Sequence, residues 1–241
     1  MALEVVVETC EDALAAEAGG ADQIEVKCDY LEYGLTPTAG MLAEICRHAS
    51  IGVLCMIRPH ARTLVYSSSD ISAMATDIRH AKTLPIKGFL LGCLTPDNLL
   101  DLKSLVILKD AAEPLDVHFH LAWEQTKDPI LSLKQLIELG FKSVRTSGGD
   151  GISGQAGENI DRIKAYAAAL RGDMDLYLAG GITVKNVAEI ISKTGISNVH
   201  SGSGVRLPRT RVGAVSKECV QEMKQAITHT SHLITGIKHF R

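Results

Sequence analysis

Eight short apolar runs recur along the chain at intervals of about 30 residues, each followed by a helix-like stretch, and this βα rhythm predicts an α/β fold, a TIM-type (β/α)8 barrel of parallel strands surrounded by helices. Helix-start and helix-stop residues stand between the runs. No G-x-G-x-x-G follows the first run, where Glu8-Thr9-Cys10-Glu11 stands instead, and this disfavours an open dinucleotide-binding sheet. The length of 241 residues suits one such barrel, and no Pro/Ser-rich linker or low-complexity tract divides the chain, so a single domain over residues 1–241 is expected.

The strands are expected near 3–8, 23–27, 52–58, 86–92, 116–120, 142–147, 174–179 and 197–201. Thr36-Pro37, Thr95-Pro96 and Asp128-Pro129 each place a capping oxygen before a proline, which suits a first helical position. Thr183 is the expected cap of a helix over 184–194. Gly140, Gly172 and Gly195 stand where helices should stop, because glycine enters the left-handed region cheaply.

Hydrophobic residues at 46% and charged residues at 22% describe a folded globular chain. No apolar run approaches the roughly 18 residues needed to span a bilayer, and the chain opens directly into Leu3-Glu4-Val5-Val6-Val7. The expectation is an intracellular protein with no membrane partner. A formal charge of −3 and an aromatic content of 4% leave neither a basic footprint nor a stacking surface for nucleic acid.

In barrels of this kind ligands bind at the C-terminal ends of the strands, so polar residues there are informative. Strand alternation puts Glu4 with Glu8, Glu25 with Lys27, and His118 with His120 on inward faces, while Val5, Val7, Ile24, Val26 and Phe119 face the helices. Arg58 ends the third strand, Thr146-Ser147-Gly148 the sixth and His200-Ser201 the eighth. Buried charges need partners, and Glu–Arg pairing is the expected solution. Two readings stay open for this set. One is an ion-pair network filling the barrel, which suits Glu4 at the bottom of its strand. The other is a mouth in which Glu25, Arg58 and His120 are catalytic, with His200 as an alternative partner to Glu25. Lys27, Ser147, Gly181, His200, Ser201 and Gly202 would then contact the ligand.

Gly180-Gly181 and Ser201-Gly202-Ser203-Gly204 follow the last two strands, the usual phosphate-binding position, although such glycines also simply make tight turns. His118-Phe119-His120 has the H-x-H form of some metal hydrolases, but it lies on the fifth strand rather than the first, and no aspartate on the eighth strand accompanies it. Cysteines at 10, 28, 46, 55, 93 and 219 form no C-x-x-C pair and match no zinc spacing.

Gly19-Gly20-Ala21-Asp22-Gln23-Ile24-Glu25, Gly34-Leu35-Thr36-Pro37-Thr38, Met56-Ile57-Arg58-Pro59, Val65-Tyr66-Ser67, Phe119-His120, Thr146-Ser147-Gly148 and Val199-His200-Ser201 occur in this order. Together they resemble the CutC copper-homeostasis family over roughly residues 3 to 225. The resemblance implies a TIM-like barrel, a cytoplasmic homo-oligomer and a role in copper handling, with Glu25, Arg58, His120, Ser147 and His200 around the pocket. It also raises copper(I) as a ligand, bound through Cys28 with Cys10. Lys27 stands where the family commonly has a cysteine, with Cys28 one residue later, and Val6 stands where relatives often have another. The expected ligand is therefore either copper or a small polar metabolite, phosphorylated or sugar-like, acted on by an enzyme. A barrel serving only as a scaffold is the residual option.

Overall fold

The computed structural model describes residues 1–151 and 154–238. Eight parallel strands close into a barrel in sequence order: β1 Ala2–Val7, β2 Gln23–Val26, β3 Gly52–Met56, β4 Gly88–Leu91, β5 Asp116–Phe119, β6 Ser143–Thr146, β7 Asp175–Leu178 and β8 Asn198–Ser201. Closure is made by β8 against β1, with Glu4 opposite His200 and Val5 opposite Ser201. The helices between them are α1 Cys10–Ala18, α2 Ala39–His48, α3 Ser68–Ala81, α4 Leu102–Ala112, α5 Pro129–Glu138, α6 Ile160–Leu170 and α7 Val187–Thr194. A last helix, α8 Lys217–Lys238, follows a small hairpin of β9 Arg206–Leu207 and β10 Ala214–Val215. All eight expected strands are present.

The expected α5 is confirmed: the Asp128 carboxylate accepts from Leu131 N at 2.9 Å, Pro129 is the first helical residue, and Gly140 follows the helix at φ +74°. Three other expected caps are corrected. The cap of α2 is Thr38; Thr36 instead donates its hydroxyl to Arg58 O and accepts from Arg58 N, tying two rim segments together. Thr95-Pro96 forms a turn, and α4 is capped six residues later by Asp101. Asn186, not Thr183, precedes α7, and its side chain accepts from Thr183 N. In each case a second capping residue just downstream competes for the same role, and the length of the loop over the barrel rim decides between them.

Alternate residues of the strands separate cleanly. Val5, Val7, Ile24, Val26, Phe89 and Phe119 belong to one hydrophobic shell shared with the helices. Their neighbours point to the barrel axis, and the lower interior is polar. Glu4 is fully buried there and accepts from Arg145 Nε at 3.0 Å, from Arg145 Nη2, from Gln23 Nε2 at 2.7 Å and from His200 Nδ1 at 2.7 Å. The Arg145 guanidinium stacks 5.0 Å from the Tyr177 ring and donates to Ser143 Oγ, whose own proton is then free to reach His118 Nδ1 at 2.7 Å. Burial alone would raise the Glu4 carboxyl, but Arg145 and then His200 outweigh it and hold it well below the usual carboxylate range. The expected Glu–Arg pairing exists, but between Glu4 and Arg145 rather than at Arg58.

Breaking a buried ion pair from one side is costly because the remaining charge is left in a low dielectric. Arg145→Met is expected to lower stability by about 3–5 kcal/mol, whereas Glu4→Gln combined with Arg145→Met should lose less than the two single changes added together. Urea unfolding of all four proteins measures this cycle. Burial, followed by the nearby Arg145, pushes His118 down to about 3 from 6.5. The unfolded chain therefore takes up a proton below pH 6.5 that the folded chain refuses, so this contribution is full above pH 6.5 and is lost as pH falls towards 3. His118→Gln should make stability fall less steeply below pH 6.5, by up to about 1.4 kcal/mol per pH unit, as read from urea midpoints at stepped pH.

Candidate active site

Above the Glu4–Arg145 layer the barrel opens into a cavity of about 340 Å3 at the C-terminal ends of the strands. Glu25, Lys27, Arg58, His120 and His200 line it, each from the end of a different strand or from within two residues beyond one, except that Glu25 and Lys27 share β2 and its exit. Gly181, Ser201 and Gly202 also line it.

Glu25 is the buried carboxylate of this cavity. Lys27 Nζ lies 2.5 Å from its Oε1, and His200 Nδ1 lies 3.3 Å from its Oε2. Neither oxygen is otherwise engaged in an aligned hydrogen bond among the described residues. His200 is oriented from behind, because its Nδ1 is closer to the locked Glu4 carboxylate than to Glu25. The two carboxylates and His200 present ligand atoms within 4.8 Å of one another.

Arg58 does not pair with Glu25. Its guanidinium donates to the backbone carbonyls of Glu32 at 2.6 Å, Gly34 at 3.1 Å and Ala61 at 3.3 Å. These contacts tie the segments after β2 and β3 together, and among the described residues no carboxylate pairs with the cation. His120 completes the floor. Its Nδ1 accepts from Ala122 N at 3.2 Å, so the ring proton resides on Nε2, and Nε2 is buried with no partner among the described residues. Burial and then the charges of Arg58, Lys27 and Arg145 lower its pKa to about 3, so the ring is a neutral N–H donor. The ring lies against Gly92 beyond β4, where a Cβ would come within 2.4 Å of it.

Tyr30 and Tyr33, from the segment between β2 and α2, form the roof. Arg211 of the β9–β10 connection sits 3.6 Å over the Tyr33 ring, and Arg206 and Lys27 each lie 5.4 Å from the Tyr30 ring. The Tyr30 hydroxyl packs so closely on Gly202 that a Cβ there would fall 1.8 Å from it. One role of that glycine is thus to admit the roof. Arg145, Tyr30, Tyr33 and Arg211 were not among the expected site residues. The tyrosines follow the second strand directly, which is a usable signal; Arg211 arrives from a hairpin whose position no local pattern reveals.

Three expected residues lie elsewhere. Ser147 is buried beside β6, where its Oγ donates to Glu124 Oε2 at 2.8 Å; Glu124 also accepts from Thr146 Oγ1 and from the Ser147 and Gly148 N–H groups. Burial raises the Glu124 pKa to about 7 against the lowering effect of these bonds. Cys28 donates to Thr36 O at 3.0 Å, and Cys10 opens α1; neither lines the cavity. Burial, followed by neighbouring carboxylates, raises both thiols from 9.0, which favours the protonated form.

The comparisons with known proteins agree with this architecture. The CutC family profile matches residues 1–205. The human copper homeostasis protein cutC homolog is 36% identical over 198 residues, covering 82% of this chain and 71% of its own length. A CutC family protein of Photobacterium profundum is 34% identical over 205 residues, covering 85% of this chain and 82% of its own length. The crystal structure of a CutC protein from Streptococcus agalactiae superposes with a TM-score of 0.76 at 28% identity, over 84% of this chain and 98% of that one. The chain belongs to the CutC family, whose curated relatives carry the name of copper homeostasis.

Proposed function

We propose that this CutC-family barrel is an enzyme that binds a small anionic metabolite, phosphorylated or sugar-like, in the rim cavity. The observation that carries this reading is the charge balance of the cavity wall. Lys27, Arg58, Arg145 and Arg211 line it, against Glu25 as the one carboxylate of the lining among the described residues. A cation with no carboxylate partner among the described residues, as Arg58 is, keeps its charge available for a carboxylate or phosphate. The glycine-rich turns after β7 and β8 offer backbone close to the same space. Glu25, with His200 touching it, is the acid–base candidate. The family also suggests a cytoplasmic homo-oligomer as its setting.

Thermal-shift screening of phosphorylated metabolites should yield a stabilising ligand whose effect is lost in Arg58→Ala and in Glu25→Gln. A ligand whose shift survives both substitutions overturns the site assignment.

The relatives' name supports a second reading, copper(I) as cargo on Cys28 with Cys10. Copper(I) prefers thiolate and thioether donors. The Glu4, Glu25 and His200 cluster offers oxygen and nitrogen instead, and Arg145 and Lys27 already pair with its carboxylates. That cluster therefore does not fit copper(I), and the copper reading rests on the thiols alone. Anaerobic copper(I) titration against a competing chelator is expected to show affinity no tighter than that of ordinary thiols and unchanged in Cys28→Ser; tight binding abolished by Cys28→Ser would restore copper as the cargo.

A further inference from the structure

The rim cavity contains a buried carboxylate that is ion-paired but makes no aligned hydrogen bond, and a buried ring N–H with no partner among the described residues. Glu25 is fully buried, and among the described residues its oxygens pair with the ammonium of Lys27 and the ring of His200. His120 Nε2 is buried without a partner among the described residues and carries the ring proton, because Nδ1 is occupied by Ala122 N–H. A fold does not leave such groups unsatisfied without cost, and a pair of this kind in one cavity points to a ligand that presents a proton to the acceptor and a negative oxygen to the donor.

We propose that the rim site deprotonates the carbon beside the carbonyl of a small ligand bearing an anionic group, with Glu25 as base and His120 as the donor to the carbonyl oxygen. The inference rests on the anionic-ligand reading above and adds the class of reaction. In the step, a Glu25 oxygen takes the proton and the C–H electron pair becomes the new C=C bond. The carbonyl π pair moves to oxygen, where the resulting enolate charge meets His120 Nε2–H. Returning the proton to the opposite face of the same carbon completes an epimerisation; where that carbon bears a hydroxyl, moving the hydroxyl proton to the former carbonyl oxygen and returning the carbon-bound proton to the former carbonyl carbon completes an isomerisation, with no oxidant or co-reactant required.

The surroundings suit this charge flow. A neutral imidazole among Lys27, Arg58 and Arg145 is a weak acid held in a positive field, so it can donate a hydrogen bond to a developing oxyanion without first surrendering its proton. Lys27 lies against Glu25 and adds its charge to the same region. Other routes find their groups engaged. The Ser201 hydroxyl points to Ile182 O at 3.4 Å, Ser147 is held by Glu124, and Lys27 is ion-paired rather than free as an amine nucleophile. Gly92 acts through His120 as a positioning residue, since any side chain there would displace the ring.

The test compares two probes of similar size on the full chain by titration calorimetry. Phosphoglycolohydroxamate mimics a planar enolate beside a phosphate group, and glycerol 3-phosphate has the anion without the oxyanion. The wild-type protein is expected to prefer the hydroxamate by at least tenfold, and that ratio should collapse towards one in His120→Ala and in Glu25→Gln. Equal binding of both probes overturns the deprotonation inference while leaving the anionic-ligand reading intact, and binding of neither overturns both. Because the wild-type ratio alone decides, a variant that fails to fold does not protect the proposal. Borohydride trapping of dihydroxyacetone phosphate on Lys27 would also overturn it, by showing imine chemistry at that amine.

Discussion

The Glu4–Arg145 ion pair is the interaction on which the upper half of the molecule depends. It lies inside a closed barrel, where both charges are buried, and it is stabilised because Gln23 and His200 donate to the carboxylate oxygens beside Arg145. Gln23, Ser143 and Tyr177 complete the set. Through it and these partners, side chains of β1, β2, β6, β7 and β8 meet in one layer. Glu4 also holds Nδ1 of His200, so the network that supports the barrel interior orients a ring that lines the cavity above it.

From that layer upwards the barrel changes character. Below, charges are paired and hydrogen-bonded; at the rim, Arg58 donates to carbonyl oxygens, Glu25 is touched by Lys27 and the His200 ring, and His120 offers a donor with no partner among the described residues. Local stability would favour satisfying all of these groups. Their persistence in one cavity is the pattern expected where a ligand supplies the missing partners. The excess of positive charge selects for anions, whereas the six thiols of this chain lie outside that cavity.

Family membership and site chemistry therefore point in somewhat different directions. Membership follows from the matched sequence and from the superposed crystal structure. The donor set follows from this chain's own residues: Lys27 sits on the inward face and pairs with Glu25, while Cys28, one residue later, turns away to Thr36 O. Successive strand positions face opposite sides, so this single offset exchanges a thiol for an ammonium at the cavity wall.

The eight-strand alternation was legible from sequence because inward and outward positions differ in chemistry at every second residue, as Val5 and Val7 against Glu4, or Ile24 against Glu25, show. Strand-end position alone also located Glu25, Lys27, Arg58, His120 and His200 at one rim. The sequence could not say who pairs with whom. Arg145 lies 141 residues from Glu4, and its claim on that carboxylate is made only by barrel closure and register. Ser147 was within reach of the site by position, yet the Glu124 carboxylate engages it first. Local patterns record which face a side chain takes; the partner is fixed by distances between segments, and only the folded chain sets those.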